Sequence, residues 1–271
     1  MAENQQRVLI ASHRGHFSGN IVENTLPAFE AAIRSGADIV ETDIHLTRDN
    51  VMILFHDPSP LRLLGLPGKV SDYTLEELRK GRLKNVIGEP SDWHINTLEE
   101  FLRAMKGRVM INLDQCWGFM DQVYDLVEKM GMEDQALIKG RAPYDEAVAW
   151  AKNRHWKPKF IPIIASDKEI PLFEALPKEM DIPIVEVFLT RDEDRLISTD
   201  FVTGLKHRGI KLWVNSLSLG SGIDLSAHHD DDVSVTAAPE KGWGWLIDHG
   251  VEVIQTDWPS ELRRYLDRIG K

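Results

Sequence analysis

The sequence predicts an α/β protein with the (β/α)8 fold, the TIM barrel, and a small insertion after the second strand. Short β-branched runs alternate with helical patterns along the whole chain, and this alternation is typical of a parallel sheet. About eight such units recur without a change of composition, which favours a closed barrel over an open sheet. A length of 271 residues is normal for one barrel of this kind. We therefore expect a single domain that spans residues 1–271.

The predicted strands are β-branched runs that recur along the chain. A further extended piece, residues 51–55, comes after the second strand and a turn at 48–50. The barrel strands are expected over residues 7–12, 38–46, 108–114, 135–140, 160–166, 184–190, 210–216 and 251–257.

Capping residues and helical spacing predict the helices between these strands. Asn24 or Thr25 can cap the first helix, which runs to about Ser35. Thr97 with Glu100 forms a capping-box pattern, in which each side chain satisfies a free N–H group of the first turn. Further helices are expected over residues 144–153, 199–208 and 259–269.

Two long stretches, 58–95 and 216–238, have no regular pattern. The first holds a short predicted helix over 74–80 and is too small for a core of its own, so we expect an inserted lid or side lobe. The second contains the run His-His-Asp-Asp-Asp at 228–232. Such a run can bind metal, but in a loop it is more often a solvated charge run, and we interpret it so.

The charge balance restricts the possible partners. The chain has 32 basic and 43 acidic residues, a formal net charge of −11, which is a poor electrostatic match for nucleic acid or anionic lipid. Its one cysteine, Cys116, excludes an intrachain disulfide. The sequence has no signal-peptide pattern and no apolar run of the roughly 18 residues that span a bilayer. We expect a cytoplasmic protein with no membrane span and no nucleic-acid partner.

Acidic residues alternate along two predicted strands. Glu41 and Asp43 lie two apart on strand two, and Asn112 and Asp114 lie two apart on strand three, so each pair faces one side of its strand. Because active sites of such barrels lie at the carboxyl ends of the strands, we expect Glu41, Asp43 and Asp114 to converge. Three carboxylates suit Mg²⁺ or Ca²⁺ better than zinc. The alternative is that they pair with lysines or arginines of the barrel.

Two histidines flank this predicted cluster. His13 ends strand one, and His56 ends the extended piece after strand two. An imidazole and an imidazolium can act as base and acid near neutral pH, and Arg14 is a planar cation suited to phosphate oxygens. Two histidines, an arginine and a bound cation together indicate phosphoryl transfer. Cys116 has no obvious base beside it, so we expect it to pack rather than to react.

These residues resemble the motifs of the glycerophosphodiester phosphodiesterase family. The resemblance covers nearly the whole chain and is strongest over residues 10–80. The matching motifs are His13-Arg14-Gly15, Glu23-Asn24-Thr25, Glu41-x-Asp43, His56-Asp57, the segment 70–78, Trp213-Val214-Asn215 and Thr256-Asp257-Trp258-Pro259.

The resemblance implies a role for each motif residue. His13 and His56 would be the general acid and base, Glu41 and Asp43 would bind one divalent cation, and Arg14 would contact the phosphate. The implied reaction is hydrolysis of a small glycerophosphodiester to a phosphomonoester and an alcohol.

The chain departs from the family pattern at two places. On strand three the family usually has a glutamate and, two residues later, a lysine, whereas this chain has Asp114 and Cys116. Asp114 can still bind the metal, but Cys116 cannot replace the charge of a lysine. Lys139, at the end of strand four, is a possible substitute for substrate binding or else a pairing lysine. The stretch 60–64 is also more apolar than is usual after the second histidine.

Three alternatives to a glycerophosphodiester hydrolase stay open. Trp213 lies at a strand end, where its ring can receive a sugar or pack in the core, so a sugar phosphodiester of the agrocinopine type is one alternative substrate. A phospholipase D-like lyase that forms a cyclic phosphate is the second. A barrel that binds a phosphorylated ligand without catalysis is the third, although the presence of both motif histidines favours an enzyme.

Overall fold

The predicted strands all form in the computed structural model, which describes residues 7–220 and 222–271. Most are shorter than expected by one to three residues at an end, where element boundaries are least certain from sequence. Their bounds are β1 Leu9–Ser12, β2 Ile39–Leu46, β3 Met52–Leu54, β4 Met110–Asp114, β5 Ala136–Arg141, β6 Lys159–Ile164, β7 Ile184–Val187, β8 Lys211–Asn215 and β9 Val253–Thr256.

The helices predicted from caps and spacing also form. The first begins after Thr25, and the Thr97–Glu100 capping box closes with hydrogen bonds in both directions. The α-helices are α1 Leu26–Arg34, α2 Leu61–Leu64, α3 Leu75–Arg79, α4 Leu98–Met105, α5 Met120–Lys129, α6 Asp145–Lys152, α7 Ile170–Glu174, α8 Thr199–His207, α9 Asp231–Thr236, α10 Trp245–Asp248 and α11 Pro259–Ile269.

The chain forms two compact units, and strands pair within each of them. The N-terminal unit, Ser12–Ala136, pairs β2 in parallel with β4 and antiparallel with β3. The C-terminal unit holds Leu137–Lys271 with the described residues up to Ala11, and its strands β5, β6, β7, β8 and β9 pair in parallel in that order. That residues 1–271 form a single domain stays a prediction.

The insertion after the second strand packs against β3 and the residues next to it. It contains α2 and α3, and its apolar side chains share one small core with residues of the preceding strand. A segment of this size is stable only when it shares a core in this way. The buried members of this insertion core are Val22, Ile53, Phe55, Leu63, Val70, Leu78, Leu83 and Ile95.

The run at 228–232 is solvated only in part, because His228 and Asp232 are exposed while Asp231 is buried. Asp231 is 1% exposed, and its carboxylate accepts hydrogen bonds from Ser216 Oγ at 2.5 Å, Trp243 Nε1 at 2.8 Å and Thr256 Oγ1 at 2.8 Å. The backbone N–H of Asp257 donates a fourth, at 2.8 Å. The solvated interpretation is therefore wrong for Asp231, because four donors replace the water that a buried carboxylate loses.

No helix among the described residues is long and apolar enough to cross a membrane. A cytoplasmic location stays a prediction.

Candidate active site

Three carboxylates meet at the carboxyl ends of β2 and β4. The parallel register places Glu41 opposite Asn112 and Asp43 opposite Asp114. One oxygen from each of Glu41, Asp43 and Asp114 lies within 4.8 Å of the others. Glu41 and Asp43 are 2% and 3% exposed, and Asp114 is half-buried. The three carboxylates that the alternation along the strands predicted to converge therefore lie together in the structure.

Asp43 is held by three side chains, two from the loop between β1 and α1 and one from the loop after β4. Its Oδ1 accepts a hydrogen bond from Gln115 Nε2 at 2.8 Å, and its Oδ2 accepts one from Asn24 Nδ2 at 3.0 Å. Arg14 Nε lies 3.3 Å from the same Oδ2. These contacts fix the orientation of the carboxylate before any ligand binds.

The loops that supply these groups turn through left-handed backbone conformations. Arg14, Asn24 and Gln115 have φ angles of 53°, 55° and 59°, which are uncommon for residues with a side chain and often occur at functional sites. The turn at Arg14 directs its backbone N–H to Glu41 Oε2 at 2.9 Å. Backbone strain at these positions serves to place polar groups around the carboxylates.

The two predicted catalytic histidines lie in the same unit as the carboxylates. His13 follows the buried end of β1 and is 8% exposed. His56 follows Phe55, and its Nδ1 lies 2.8 Å from Asp57 Oδ1. The carbonyl oxygen of His56 lies 3.0 Å from His45 Nε2, and because a carbonyl only accepts, this nitrogen of His45 carries hydrogen.

An arginine of the insertion connects His56 to the rest of the site. Arg62 Nε donates to Asp57 Oδ2 at 2.7 Å, and Arg62 NH1 donates to Glu23 Oε2 at 2.7 Å. Arg14 NH1 donates to Glu23 Oε1 at 3.0 Å. Although burial alone would raise it, the pKa of Asp57 falls to about 2 because Arg62 and His56 contact the carboxylate. The pKa of Glu23 is also lowered, since Arg62 and Arg14 outweigh its burial.

The predicted substrate-binding residues Lys139 and Trp213 belong to the C-terminal unit. Lys139 Nζ forms a buried ion pair with Glu186 Oε2 at 2.6 Å and lies 4.4 Å from the centre of the Trp213 ring. Trp213 is fully buried, and its Nε1 donates to Asn215 Oδ1 at 2.7 Å. Lys139 is therefore a pairing lysine here. The substrate-binding roles of both residues stay predictions.

Cys116 occupies a packing position. Its side chain is 1% exposed, and Sγ lies 4.0 Å from Met120 Sδ. Burial and the charge of Asp114 raise the pKa of the Cys116 thiol well above its ordinary range. A thiol in this environment stays protonated and is a poor nucleophile.

Sequence reasoning gave no part in the active site to several residues that complete it. Glu23, Asn24 and Asp57 stood in recognised motifs, so their motif positions were the available signal. Arg62 lies in the apolar stretch 60–64, and Gln115 lies between Asp114 and Cys116, where the chain departs from the family pattern. Polar residues in recognised motifs are therefore candidates for holding the catalytic groups, even where no chemistry is assigned to them.

The carboxylate cluster fits a divalent cation. Glu41, Asp43 and Asp114 offer only oxygen atoms, which are the ligands that Mg²⁺ and Ca²⁺ prefer. Three negative charges within a few ångströms repel one another, and burial strengthens this repulsion. Arg14 supplies one positive charge at 3.3 Å, so a further cation would balance the cluster.

Solved structures with this fold confirm the predicted fold class. A glycerophosphoryl diester phosphodiesterase from Parabacteroides distasonis superposes with a TM-score of 0.76 at 24% identity, over 98% of this chain and 89% of that one. A phosphodiesterase from Oleispira antarctica, solved with the product sn-glycerol-3-phosphate, superposes with a TM-score of 0.67 at 18% identity, over 96% of each chain. The chain has the (β/α)8 barrel fold.

Sequence relatives define the class of enzyme. A glycerophosphodiester phosphodiesterase from Bacillus altitudinis is 37% identical over 266 residues, which cover 93% of this chain and 95% of that protein. The human lysophospholipase D GDPD1 is 25% identical, over 94% of this chain and 85% of that protein. The chain is a phosphoric diester hydrolase. It belongs to the glycerophosphoryl diester phosphodiesterase family, whose model matches residues 13–214.

Proposed function

We propose that the chain hydrolyses a small glycerophosphodiester to a phosphomonoester and an alcohol, with one divalent cation and two histidines. The observation that carries this proposal is the cluster of Glu41, Asp43 and Asp114, whose oxygens lie within 4.8 Å of one another. Arg14 of the first motif lies beside this cluster. The substrate class is supported by the name of the Bacillus altitudinis relative and by the product bound in the Oleispira antarctica structure.

Glu41, Asp43 and Asp114 would hold the cation, Mg²⁺ or Ca²⁺. When bound, it supplies positive charge that stabilises the phosphoryl oxygens as the transition state forms. Arg14 contributes a second positive charge. Its guanidinium is oriented by Glu23 at 3.0 Å and Asp43 at 3.3 Å, so it meets a phosphate oxygen without first losing side-chain freedom.

His13 and His56 move the protons of the reaction. One takes a proton from the nucleophile, which is water or a hydroxyl of the substrate's own alcohol. The other protonates the departing alkoxide. Because Nδ1 of His56 contacts Asp57 at 2.8 Å, the ring is oriented and Nε2 is the nitrogen available for proton transfer.

Substitution of each histidine tests the acid–base assignment. We expect His13→Ala and His56→Ala each to lower turnover by at least about 100-fold, since general acid–base catalysis contributes this much. Exposed His207, at the end of α8, provides the matched control, and His207→Ala should keep wild-type activity. Circular dichroism establishes that each variant is folded. Wild-type turnover by either of the first two variants would contradict the mechanism.

A panel of phosphodiesters identifies the reaction. Glycerophosphocholine, glycerophosphoethanolamine and a sugar phosphodiester are each incubated with the enzyme, and the products are followed by phosphorus NMR. We expect a phosphomonoester from the glycerol substrates. A cyclic phosphate as the final product, or turnover of the sugar diester alone, would contradict the proposal.

Metal dependence is tested by chelation and by direct binding. We expect excess EDTA to abolish turnover and added Mg²⁺ or Ca²⁺ to restore it. Calorimetry should show binding of one cation to the wild type and weaker binding to Asp114→Asn, because that variant removes one of three charged ligands. Full activity in excess EDTA would contradict the role of the metal.

A further inference from the structure

Arg62 is bound to two carboxylates through a rigid fork of donors. Its Nε and NH2 contact Asp57 at 2.7 and 3.1 Å, and its NH1 and NH2 contact Glu23 at 2.7 Å each. Four contacts use the planar geometry that distinguishes arginine from lysine. The two carboxylates raise the pKa of Arg62 above its ordinary value, so its charge is permanent.

Each of these carboxylates contacts one proposed functional residue. Asp57 lies 2.8 Å from Nδ1 of His56. Glu23 lies 3.0 Å from NH1 of Arg14. Arg62 is thus the link in a continuous series of ion pairs that runs from the proposed acid–base histidine to the proposed phosphate-binding arginine.

The insertion fixes the position of Arg62. Its neighbour Leu63 is 5% exposed and belongs to the insertion core. The carbonyl oxygen of Leu63 accepts a hydrogen bond from the backbone N–H of Lys84 at 2.8 Å, and Gly65 ends the helical turn with a φ of 70°. The side chain of Arg62 is itself 46% exposed, so its place depends on these contacts and on its two carboxylates.

We propose that Arg62 is a positioning residue. Through it, the insertion holds the acid–base histidine, His56, and the phosphate-binding arginine, Arg14, in fixed orientations relative to each other. The inference rests on the proposed function of His56 and Arg14. Arg62 acts through Asp57 on the orientation of the His56 ring, and through Glu23 on the orientation of the Arg14 guanidinium. The insertion therefore takes part in the assembly of the site.

The two connections predict separable kinetic effects. Asp57→Asn removes the charge that orients His56, so kcat should fall while KM stays near the wild-type value. Glu23→Gln weakens the hold on Arg14, so KM should rise by about tenfold, as for the loss of one charge-assisted hydrogen bond. Arg62→Ala disturbs both connections. In that variant we expect kcat to fall on the order of 100-fold, as for a small misplacement of a catalytic group, together with the rise in KM.

Arg79 provides the matched control in the same insertion. It donates to Ile95 O at 3.0 Å and to Glu100 Oε2 at 2.6 Å, and neither partner is one of the residues proposed for catalysis or metal binding. Arg79→Ala should lower the thermal stability and leave kcat and KM of the folded protein unchanged. Arg62→Lys keeps the charge without the fork, so it should restore at most one of the two kinetic parameters.

The experiment measures kcat and KM of the full chain with glycerophosphocholine and Mg²⁺, for wild type and these variants, at equal concentrations of folded protein. A lower kcat together with a higher KM in Arg62→Ala, and partial recovery of these values in Arg62→Lys, supports the inference. Values of kcat and KM for both Arg62 variants within twofold of the Arg79→Ala control would overturn it. If Arg62→Ala does not fold, the kinetics of Arg62→Lys decide the question alone. Absence of turnover by the wild type on every phosphodiester would instead overturn the proposed function.

Discussion

Replacement of Asp231 by asparagine should change how the stability of the protein depends on pH. Burial raises the pKa of Asp231 from 3.8 to about 7, although Ser216, Trp243, Thr256 and the backbone of Asp257 all donate to the carboxylate. The folded state thus binds a proton at this residue more tightly than the unfolded chain does. Asparagine has the same shape and does not titrate, so it removes this proton linkage.

The size of the effect follows from the two pKa values of Asp231. Because the folded-state value is the higher one, the stabilisation is fully present below about pH 4 and is lost as the pH rises through about 7. Each pH unit between these values changes the free energy of unfolding by about 1.4 kcal/mol. The stability of the wild type relative to Asp231→Asn should therefore fall by about 3 kcal/mol between pH 5 and pH 8.

Urea unfolding at pH 5, 6, 7 and 8, followed by tryptophan fluorescence, measures this difference. The carboxylates with lowered pKa values, such as Asp57 and Glu23, titrate below this range and are present in both proteins, so they cancel. A constant difference between the two proteins from pH 5 to pH 8 would refute the reasoning. It would mean that the four donors keep Asp231 ionised despite its burial.

Three further predictions concern packing, backbone conformation and thiol reactivity. Leu78 is fully buried in the insertion core, so Leu78→Ala should lower the free energy of unfolding by about 2–5 kcal/mol; a loss below about 1 kcal/mol in urea unfolding would contradict this packing. Gly15 has a φ of 81°, and a Cβ there would lie 2.7 Å from a backbone carbon of Ala28. Gly15→Ala should therefore destabilise the protein and reduce turnover, whereas Gly204→Ala, in α8 with a helical backbone and open space around its Cβ, should not; equal melting temperatures of the two variants would count against the argument. Cys116 is buried with a raised thiol pKa, so iodoacetamide should modify it only after unfolding, and rapid native labelling seen by mass spectrometry would show the burial to be wrong.

Local patterns were enough to predict the strands and the carboxylate cluster. Residues two apart on a strand share a face regardless of the rest of the protein, so the alternation at Glu41 and Asp43 already placed them together. Parallel pairing then added Asp114. The Thr97–Glu100 capping box was equally visible, because its hydrogen bonds join residues three apart.

Contacts between distant residues could not be predicted in this way. Arg62 and Glu23 are 39 residues apart, and the hydrophobic neighbours of Arg62 hid its polar role. Asp231 was wrongly interpreted as solvated because a run of charges does not reveal which member is buried. Its side-chain donors lie 12, 15 and 25 residues away, beyond the reach of any local pattern.

The N-terminal unit is one uninterrupted stretch, Ser12–Ala136. This continuity determines when its residues are synthesised on the ribosome. All the residues proposed for catalysis and for metal binding lie in that stretch, from His13 to Asp114. A ribosome adds roughly 5–20 residues each second, so the last of these residues is synthesised several seconds before the C-terminal unit is complete. A premature stop between the codons of Arg141 and Lys159 would therefore leave a fragment with every proposed metal ligand but without β6 to β9.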